Sequence, residues 1–224
     1  MRFGMSHFVI GTLLGLSATQ ADAQPPAAIV EEVDSSTAGV EFMDYLTEGR
    51  TLRLSPNDKL VLGYLQSCWR EVITGGTVTV GAEQSDVSQG TVERTRVRCE
   101  AQKRSLASKE TTGSGAMVFR KKPELPLPDQ TVYSLSPIFE VKGPGNLIIE
   151  RLDKTQKPIE INVSASELPR GVFIDLANRN LVLVAGGLYR AKSQDAQIVI
   201  KIDSSADLKN PPIIGRLVRV LSPS

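Results

Sequence analysis

The chain has 224 residues, of which 26 are basic and 25 are acidic, so its formal net charge at pH 7 is +1. This balance lacks the concentrated positive charge of a nucleic-acid-binding protein, and no nucleic-acid partner is expected. Hydrophobic residues make up 41% of the sequence. The composition is therefore that of an ordinary globular protein.

The first 23 residues have the tripartite pattern of a secretory signal. Arg2 supplies a positive start, the apolar run Phe8–Ala18 follows, and Ala21-Asp22-Ala23 forms a small-residue cleavage site. An uncleaved membrane anchor is the alternative, but this run is about half of the roughly 20 residues that a spanning helix needs. We therefore expect a signal peptide over residues 1–23 and a periplasmic or secreted protein without a membrane span.

Short β-branched and leucine-rich runs, separated by turn-forming residues, follow from Val40 onward. This pattern is typical of strands and tight turns. Strands are predicted for Thr51–Leu54, Lys59–Leu62 and Thr77–Val80. Gly75 and Gly76 lie between two β-branched runs, and this arrangement predicts a two-residue hairpin because glycine adopts positive φ without steric cost.

Cys68 and Cys99 are the two cysteines of the chain. In an exported protein an even pair predicts a disulfide bond, and two free thiols are the alternative. Trp69, next to Cys68, is the one tryptophan. We expect Trp69 to pack in the core, although an exposed tryptophan could stack on a sugar or peptide ligand.

The run Thr91–Cys99 carries arginine at alternate positions. Period-two alternation in a strand places Arg94, Arg96 and Arg98 on one face and Cys99 on the other, so we expect the arginines to face outward. Such a stripe is a candidate anion-binding face for phosphate or an envelope polymer. The favoured interpretation is a solvated strand face whose like charges deter edge-to-edge pairing.

Residues 121–130 include three prolines and few strand formers. Because proline fixes φ and lacks an N–H donor, this stretch predicts an extended, stiff linker. We expect a domain boundary here, with one domain over residues 24–120 and a second over residues 131–224.

The second half again contains short runs of strand-forming residues. Seven strands are predicted, for Ile138–Val141, Leu147–Leu152, Ile159–Val163, Val172–Leu176, Leu181–Val184, Leu188–Ala191 and Gln197–Ile202. That number in so short a stretch is typical of an immunoglobulin-like β-sandwich.

The segment Leu183–Tyr189 resembles the Leu-x-Pro-Gly-x-x-Tyr segment of fibronectin type III-like domains, with Ala185 in place of the proline. In those domains the tyrosine hydroxyl bonds to the backbone at the corner between two strands. The resemblance therefore implies a structural tyrosine-corner role for Tyr189.

His7, inside the predicted signal, is the one histidine of the chain. The mature protein therefore lacks the imidazole of Ser-His-Asp and Cys-His catalysis and of the commonest zinc and haem ligand sets. No phosphate-cradling glycine loop is present either. We expect no catalytic residue, no cofactor and no metal site.

A pair of carboxylates could still catalyse glycoside hydrolysis without histidine. The acids considered for such a pair are Glu31, Glu32, Asp153, Asp175 and Asp203. Each lies in a polar segment, in a turn or at a strand end, so each also has a structural interpretation.

The first domain resembles the periplasmic FecR-type β-domain of bacterial envelope and sensor proteins. The residues that carry the resemblance are Glu48–Leu54, Lys59–Gly63, Gly76–Val80 and Gln84–Val87. The cysteine pair departs from that family's pattern. The resemblance implies a β-rich, non-catalytic interaction or sensing module.

Together these features predict an all-β protein, with a FecR-like β-domain holding one disulfide and then an immunoglobulin-like β-sandwich. The leading hypothesis is an exported, non-catalytic binding, sensing or scaffold protein of the bacterial cell envelope, with a protein or envelope polymer as its partner. The alternatives are a polysaccharide hydrolase that uses a carboxylate pair and a structural subunit of an envelope assembly.

Overall fold

The computed structural model describes residues 24–100, 125–164, 172–207 and 211–221. The predicted signal peptide, residues 1–23, and residues 121–124 of the predicted linker lie outside the described residues. We call residues 24–100 the N-terminal unit and residues 125–221 the C-terminal unit. Strands dominate both units, and the all-β fold class is confirmed. In the ranges described, no helix is long and apolar enough to cross a membrane.

The N-terminal unit is one antiparallel sheet. Its strands are β1 (Pro26–Asp34), β2 (Tyr45–Thr47), β3 (Thr51–Tyr64), β4 (Trp69–Val80), β5 (Ser85–Ser88) and β6 (Thr91–Arg96). The sheet order is β2-β1-β3-β4-β5, and β6 also pairs with β4. β5 pairs with the second half of β4 and β6 with its first half. β5 and β6 therefore follow one another along the same edge of β4.

Gly75 and Gly76 lie inside β4, so the predicted two-residue hairpin at this pair is wrong. The chain reverses instead between β3 and β4, at residues 65–68. The two glycines have φ of +64° and +83°. Residues with positive φ occur both in tight turns and at bends of a continuous strand. The local sequence does not distinguish these two structures.

The bend runs across three neighbouring strands. Opposite Gly75 and Gly76, the pairing of β3 is irregular between Leu54 and Lys59. On the other side of β4 lies the link between β5 and β6. A Cβ on Gly76 would lie 2.4 Å from the carbonyl oxygen of Ser88. The backbones thus approach more closely than a side chain at Gly76 would allow.

Bending folds the sheet over its own apolar face. Side chains from both halves of β3 and β4 share one core, which includes Leu52, Leu54, Leu60, Leu62, Tyr64, Ile73, Val78 and Val80. The N-terminal unit is therefore a single sheet folded into two layers that pack on each other.

The C-terminal unit has two sheets around one core. Its strands are β7 (Gln130–Ser134), β8 (Ile138–Val141), β9 (Gly145–Arg151), β10 (Ile159–Val163), β11 (Val172–Asp175), β12 (Leu188–Ser193), β13 (Ala196–Asp207) and β14 (Leu217–Val220). One sheet has the order β10-β9-β12-β13-β7 and the other β11-β8-β14. Buried residues of both sheets form one cluster, as in a sandwich.

Six of the seven runs predicted in this half coincide with strands. The exception is Leu181–Val184, which forms a loop before β12. Its Leu183 is nevertheless buried, and the Leu183 N–H donates to the carbonyl of Leu135. The two strands that were not predicted, β7 and β14, both pair in parallel with their neighbours.

A third apolar group joins the two units. This junction cluster consists of Ile29, Met43 and Leu65 from the N-terminal unit with Ile138, Ile214 and Leu217 from the C-terminal unit. β1 is therefore buried on both faces, because its Ala28 and Val30 side chains enter the N-terminal core while Ile29 enters the junction cluster. The two units pack directly against one another.

Candidate functional site

A cleft of about 600 Å³ opens where β5 and β6 diverge from the bend. Its remaining wall is formed by Glu48 and Gly49, in the turn between β2 and β3. The lining residues are Glu48, Gly49, Thr79, Val80, Gly81, Gln84, Ser85, Asp86, Val87, Val92 and Arg94. Because the sheet is folded over its core, this cleft is the mouth between the two layers.

An ion pair between β6 and β4 lies at the mouth and is hydrogen-bonded to β5. The Nε of Arg94 donates to Glu71 Oε1 at 2.7 Å, and the Glu71 side chain is fully buried. The Ser85 N–H donates to both Glu71 oxygens, at 3.2 and 3.1 Å. The Arg94 Nη2 in turn donates to the Ser85 carbonyl at 2.7 Å. Each charge is thus compensated by the other and by a main-chain dipole.

A buried hydroxyl pair extends this network into the core. The hydroxyl groups of Tyr64 and Ser85 lie 2.8 Å apart. Burial raises the pKa of Tyr64 to about 12, so the phenol stays protonated at neutral pH. Tyr64 therefore acts as a neutral hydrogen-bonding group beneath the ion pair.

The backbone of Ser85 faces away from β4. Val80, which lies opposite Ser85, donates its N–H to the Arg50 carbonyl and accepts from the Gly49 N–H. The N–H and C=O of Val80 therefore form their hydrogen bonds on the side of β4 that faces away from β5. In an antiparallel ladder, residues that face each other in this way both direct their N–H and C=O outward. The Glu71–Arg94 pair therefore caps the outer edge of β5 at Ser85.

The charges around the mouth are mostly acidic. Glu48 and Asp86 line the cleft, and Arg94 is the one basic residue of the lining. Since Arg94 is neutralised by Glu71, the two remaining carboxylates leave the cleft with a negative balance. Such a cleft favours a cationic or neutral ligand over an anion.

All three arginines are exposed, as predicted for an outward face, but each has a partner of its own. Arg94 reaches the buried Glu71, on the same face of β6 as Val92, which packs against the core. Arg96 lies over the Trp69 ring at 4.6 Å and donates to the Ser67 carbonyl. The contact between Arg94 and Glu71 arises from the pairing of β6 with β4, which brings the two residues directly opposite one another.

Arg98 extends from the end of β6 to the C-terminal unit. Its Nη2 lies 3.2 Å from Asp203 Oδ1, and its Nη1 donates to Ser205 Oγ at 2.8 Å. The guanidinium also lies over the Tyr133 ring at 4.5 Å. Arg98 therefore bridges the two units, and the structure does not bring the three arginines together as one site.

The predicted disulfide between Cys68 and Cys99 is confirmed. It ties the turn between β3 and β4 to the segment after β6. The next residue, Glu100, accepts a hydrogen bond from the Thr131 N–H at the start of β7. The disulfide thus holds the segment that contacts the C-terminal unit.

Tyr189 lies at the start of β12, and its hydroxyl accepts a hydrogen bond of 2.9 Å from the Val184 N–H. The tyrosine thus bonds to the backbone five residues upstream. Ala185 lies in the loop that this bond closes.

A second buried carboxylate, Glu31, lies at the junction of the units. Its oxygens accept hydrogen bonds from Arg70 Nε at 2.9 Å and from the Ile214 N–H at 3.0 Å. Only 4% of the Glu31 side chain is exposed, and this burial raises its pKa although both donors oppose the shift. Gly63 leaves room for it, since a Cβ there would lie 2.8 Å from Glu31 Oε1.

The five acids considered for catalysis each have a basic partner. The pairs are Glu31–Arg70, Glu32–Lys59, Asp153–Arg151, Asp175–Arg216 and Asp203–Arg98. Arg151 holds the pKa of Asp153 down to about 2. Hydrogen bonds from Ser205 are the main reason that the pKa of Asp203 is lowered, and Arg98 adds to the effect. Each acid is thus placed as a member of an ion pair.

The sequence identifies Arg94 as a candidate site residue but does not identify Glu71. The sequence does contain one indication that Glu71 is buried. Glu71 and Ile73 are two residues apart and therefore lie on the same face of the strand. A charged residue on an apolar face implies a buried partner. The sequence does not reveal that partner, because Arg94 is distant in the chain and becomes a neighbour only through strand pairing.

No protein-family model, curated protein or solved structure matches the chain.

Proposed function

We propose that this is an exported, non-catalytic binding or scaffold protein of the bacterial cell envelope, and that it binds a protein partner through the cleft at the mouth of the N-terminal unit. The observation that carries the proposal is the ion pairing of Glu71, whose side chain is fully buried beside the cleft. Glu71 is ion-paired with Arg94 and accepts a hydrogen bond from the Ser85 N–H. Its negative charge therefore holds β5 and β6 in position.

The size and lining of the cleft suit recognition. Ligand-binding clefts commonly enclose about 300–1,000 Å³, with a few convergent polar groups among apolar ones. This cleft, of about 600 Å³, offers Val87 and Val92 as apolar contacts and Thr79, Gln84 and Asp86 as polar ones. It lies on strands that a disulfide and a shared core hold in place, which limits the entropy lost on binding.

The hydrolase alternative is less well supported by the geometry. A glycosidase needs two carboxyl groups about 5–10 Å apart, with an acid kept protonated and a base kept ionised. The five acids considered for that role are each ion-paired instead.

Several features support a FecR-like N-terminal unit and an immunoglobulin-like C-terminal unit, which form part of the proposal. The segments that carry the resemblance to FecR-type domains supply most of the cleft lining, from Glu48 and Gly49 to Gln84–Val87. In the C-terminal unit, the order β10-β9-β12-β13 matches the C′-C-F-G order of variable-type immunoglobulin sheets. Tyr189 then occupies the start of strand F, where such domains carry their corner tyrosine.

The disulfide supports export, because disulfides persist in oxidising compartments such as the periplasm. The pattern of residues 1–23 points in the same direction.

The proposal is tested by crosslinking the tagged protein in its own cell envelope and identifying what is captured. We expect one stoichiometric protein partner with the wild type and with Glu160→Gln, an exposed control in β10. Release of reducing sugar from envelope polysaccharide by the purified protein would overturn the proposal, as would capture of glycan alone.

A further inference from the structure

The outer edge of β5 has one further residue whose backbone faces away from β4. Ser85 directs its N–H and C=O outward, and in an antiparallel ladder the same orientation recurs two residues later, at Val87. The Ser85 groups are capped by Glu71 and Arg94. Among the described strands, β5 pairs only with β4. Val87 therefore presents a main-chain donor and acceptor at the rim of the cleft.

The surroundings of Val87 define what can approach this edge. Glu48 and Asp86 line the same cleft, and the guanidinium of Arg94 is neutralised by Glu71. A positively charged side chain would find two carboxylates here, whereas an anion would be repelled by them. Val92, which packs partly against the core, offers an apolar contact on the β6 side.

We propose that the cleft binds an extended peptide segment of a protein partner, which pairs with Val87 and places a lysine or arginine side chain between Glu48 and Asp86. Main-chain pairing at a free sheet edge is a common mode of peptide recognition, and the neighbouring pockets select the side chains. This inference rests on the proposed binding function and adds the chemistry of the ligand.

The Glu71–Arg94 pair sets the register of the bound segment. It already occupies the outward groups of Ser85, so a peptide strand meets its first free donor and acceptor at Val87. The basic side chain of the peptide is therefore fixed relative to Asp86, the residue between Ser85 and Val87.

The test uses two synthetic peptides, acetyl-Thr-Val-Lys-Val-Lys-Thr-amide and its counterpart with glutamate in place of lysine, titrated into the folded, oxidised protein by calorimetry. We expect the lysine peptide to bind at least about tenfold more tightly, since each tenfold step corresponds to about 1.4 kcal/mol. The double variant Glu48→Gln/Asp86→Asn should lower this affinity about tenfold, while the control Glu160→Gln leaves it unchanged. In hydrogen exchange, the bound lysine peptide should slow exchange of the Val87 amide.

Equal affinity for the two peptides, or an unchanged Val87 amide, would overturn the inference. Binding of inorganic phosphate that is lost in Arg94→Gln would replace it with an anion site. If neither peptide binds but envelope crosslinking still captures a stoichiometric partner, the inference falls and the proposed function stands. If that capture fails as well, the proposed function falls too.

Discussion

Arg70 and Glu71 are adjacent in β4, and their side chains engage ion pairs on opposite faces of the sheet. Arg70 binds Glu31 at the junction with the C-terminal unit, and Glu71 binds Arg94 at the mouth of the cleft. In each pair the buried carboxylate also accepts a main-chain N–H. Two adjacent residues of β4 thus link the ion pair at the junction with the ion pair at the cleft.

Arg94→Leu should strongly destabilise the N-terminal unit. Removing one partner of a buried ion pair leaves an uncompensated charge, and such losses are about 3–5 kcal/mol. Because 30% of the Arg94 side chain is exposed, we expect about 3 kcal/mol, measured by urea denaturation. Arg96→Leu is the matched control, since its stacking on Trp69 contributes about 1 kcal/mol or less. Equal losses in the two variants would contradict the role assigned to Glu71.

Gly76→Ala should cost about 2–4 kcal/mol in the free energy of unfolding, because it adds a backbone clash to the strain of positive φ. Its φ is +83°, and its Cβ would lie 2.4 Å from the Ser88 carbonyl oxygen. Gly49→Ala is a control with nearly the same φ of +82° and open space around the new Cβ. We expect the control to lose only about 1 kcal/mol. A control as unstable as Gly76→Ala would show that the close approach at the bend is unimportant.

Glu31 should make stability depend on pH. Burial raises its folded pKa above the unfolded value of 4.5, so the folded state binds the proton more tightly. Its contribution is fully present below pH 4.5 and is lost as the pH rises through the raised pKa. As the pH rises above 4.5, the free energy of unfolding of the wild type should therefore fall relative to that of Glu31→Gln. Unfolding in urea at several pH values measures this shift, and Glu32→Gln, at an exposed pair, should show none of comparable size.

Removing the disulfide should weaken the contact between the units. The double variant Cys68→Ser/Cys99→Ser loses about 3–4 kcal/mol in the chain-entropy description of a cross-link. Because Cys99 holds the segment that includes Arg98 and Glu100, exchange of the Thr131 amide should accelerate along with that of the N-terminal unit. Hydrogen exchange measures both. Unchanged protection at Thr131 would mean that this contact does not depend on the cross-link.

The all-β class and most strands of the C-terminal unit could be predicted because their sequence patterns are local. Short runs of strand-forming residues between turn residues predict β8–β13, and the cysteine pair predicts the disulfide. β1 was missed, since burial on both faces replaces alternation by the continuous buried run Ala27–Glu31. β7 and β14 are not predicted, and their parallel pairing with distant segments is a tertiary feature that the local sequence does not contain.

The candidate site was less accessible from the sequence. Arg94 was recognised as notable, but its orientation depends on which strand it meets. Cross-strand pairing turned it toward Glu71, and the bend at Gly76 brought β5 within reach of the same guanidinium. Both relationships are tertiary, so neither appears as a spacing or a motif in the sequence.

The most direct test of the central claim, that the cleft is where a protein partner binds, is crosslinking capture from the cell envelope with a charge-reversed cleft. We predict that Glu48→Lys/Asp86→Lys loses the stoichiometric partner, while the wild type and the control Glu160→Lys recover it equally. Circular dichroism and urea denaturation would establish that all three proteins are folded. Equal recovery of the partner by the folded cleft variant would contradict the claim.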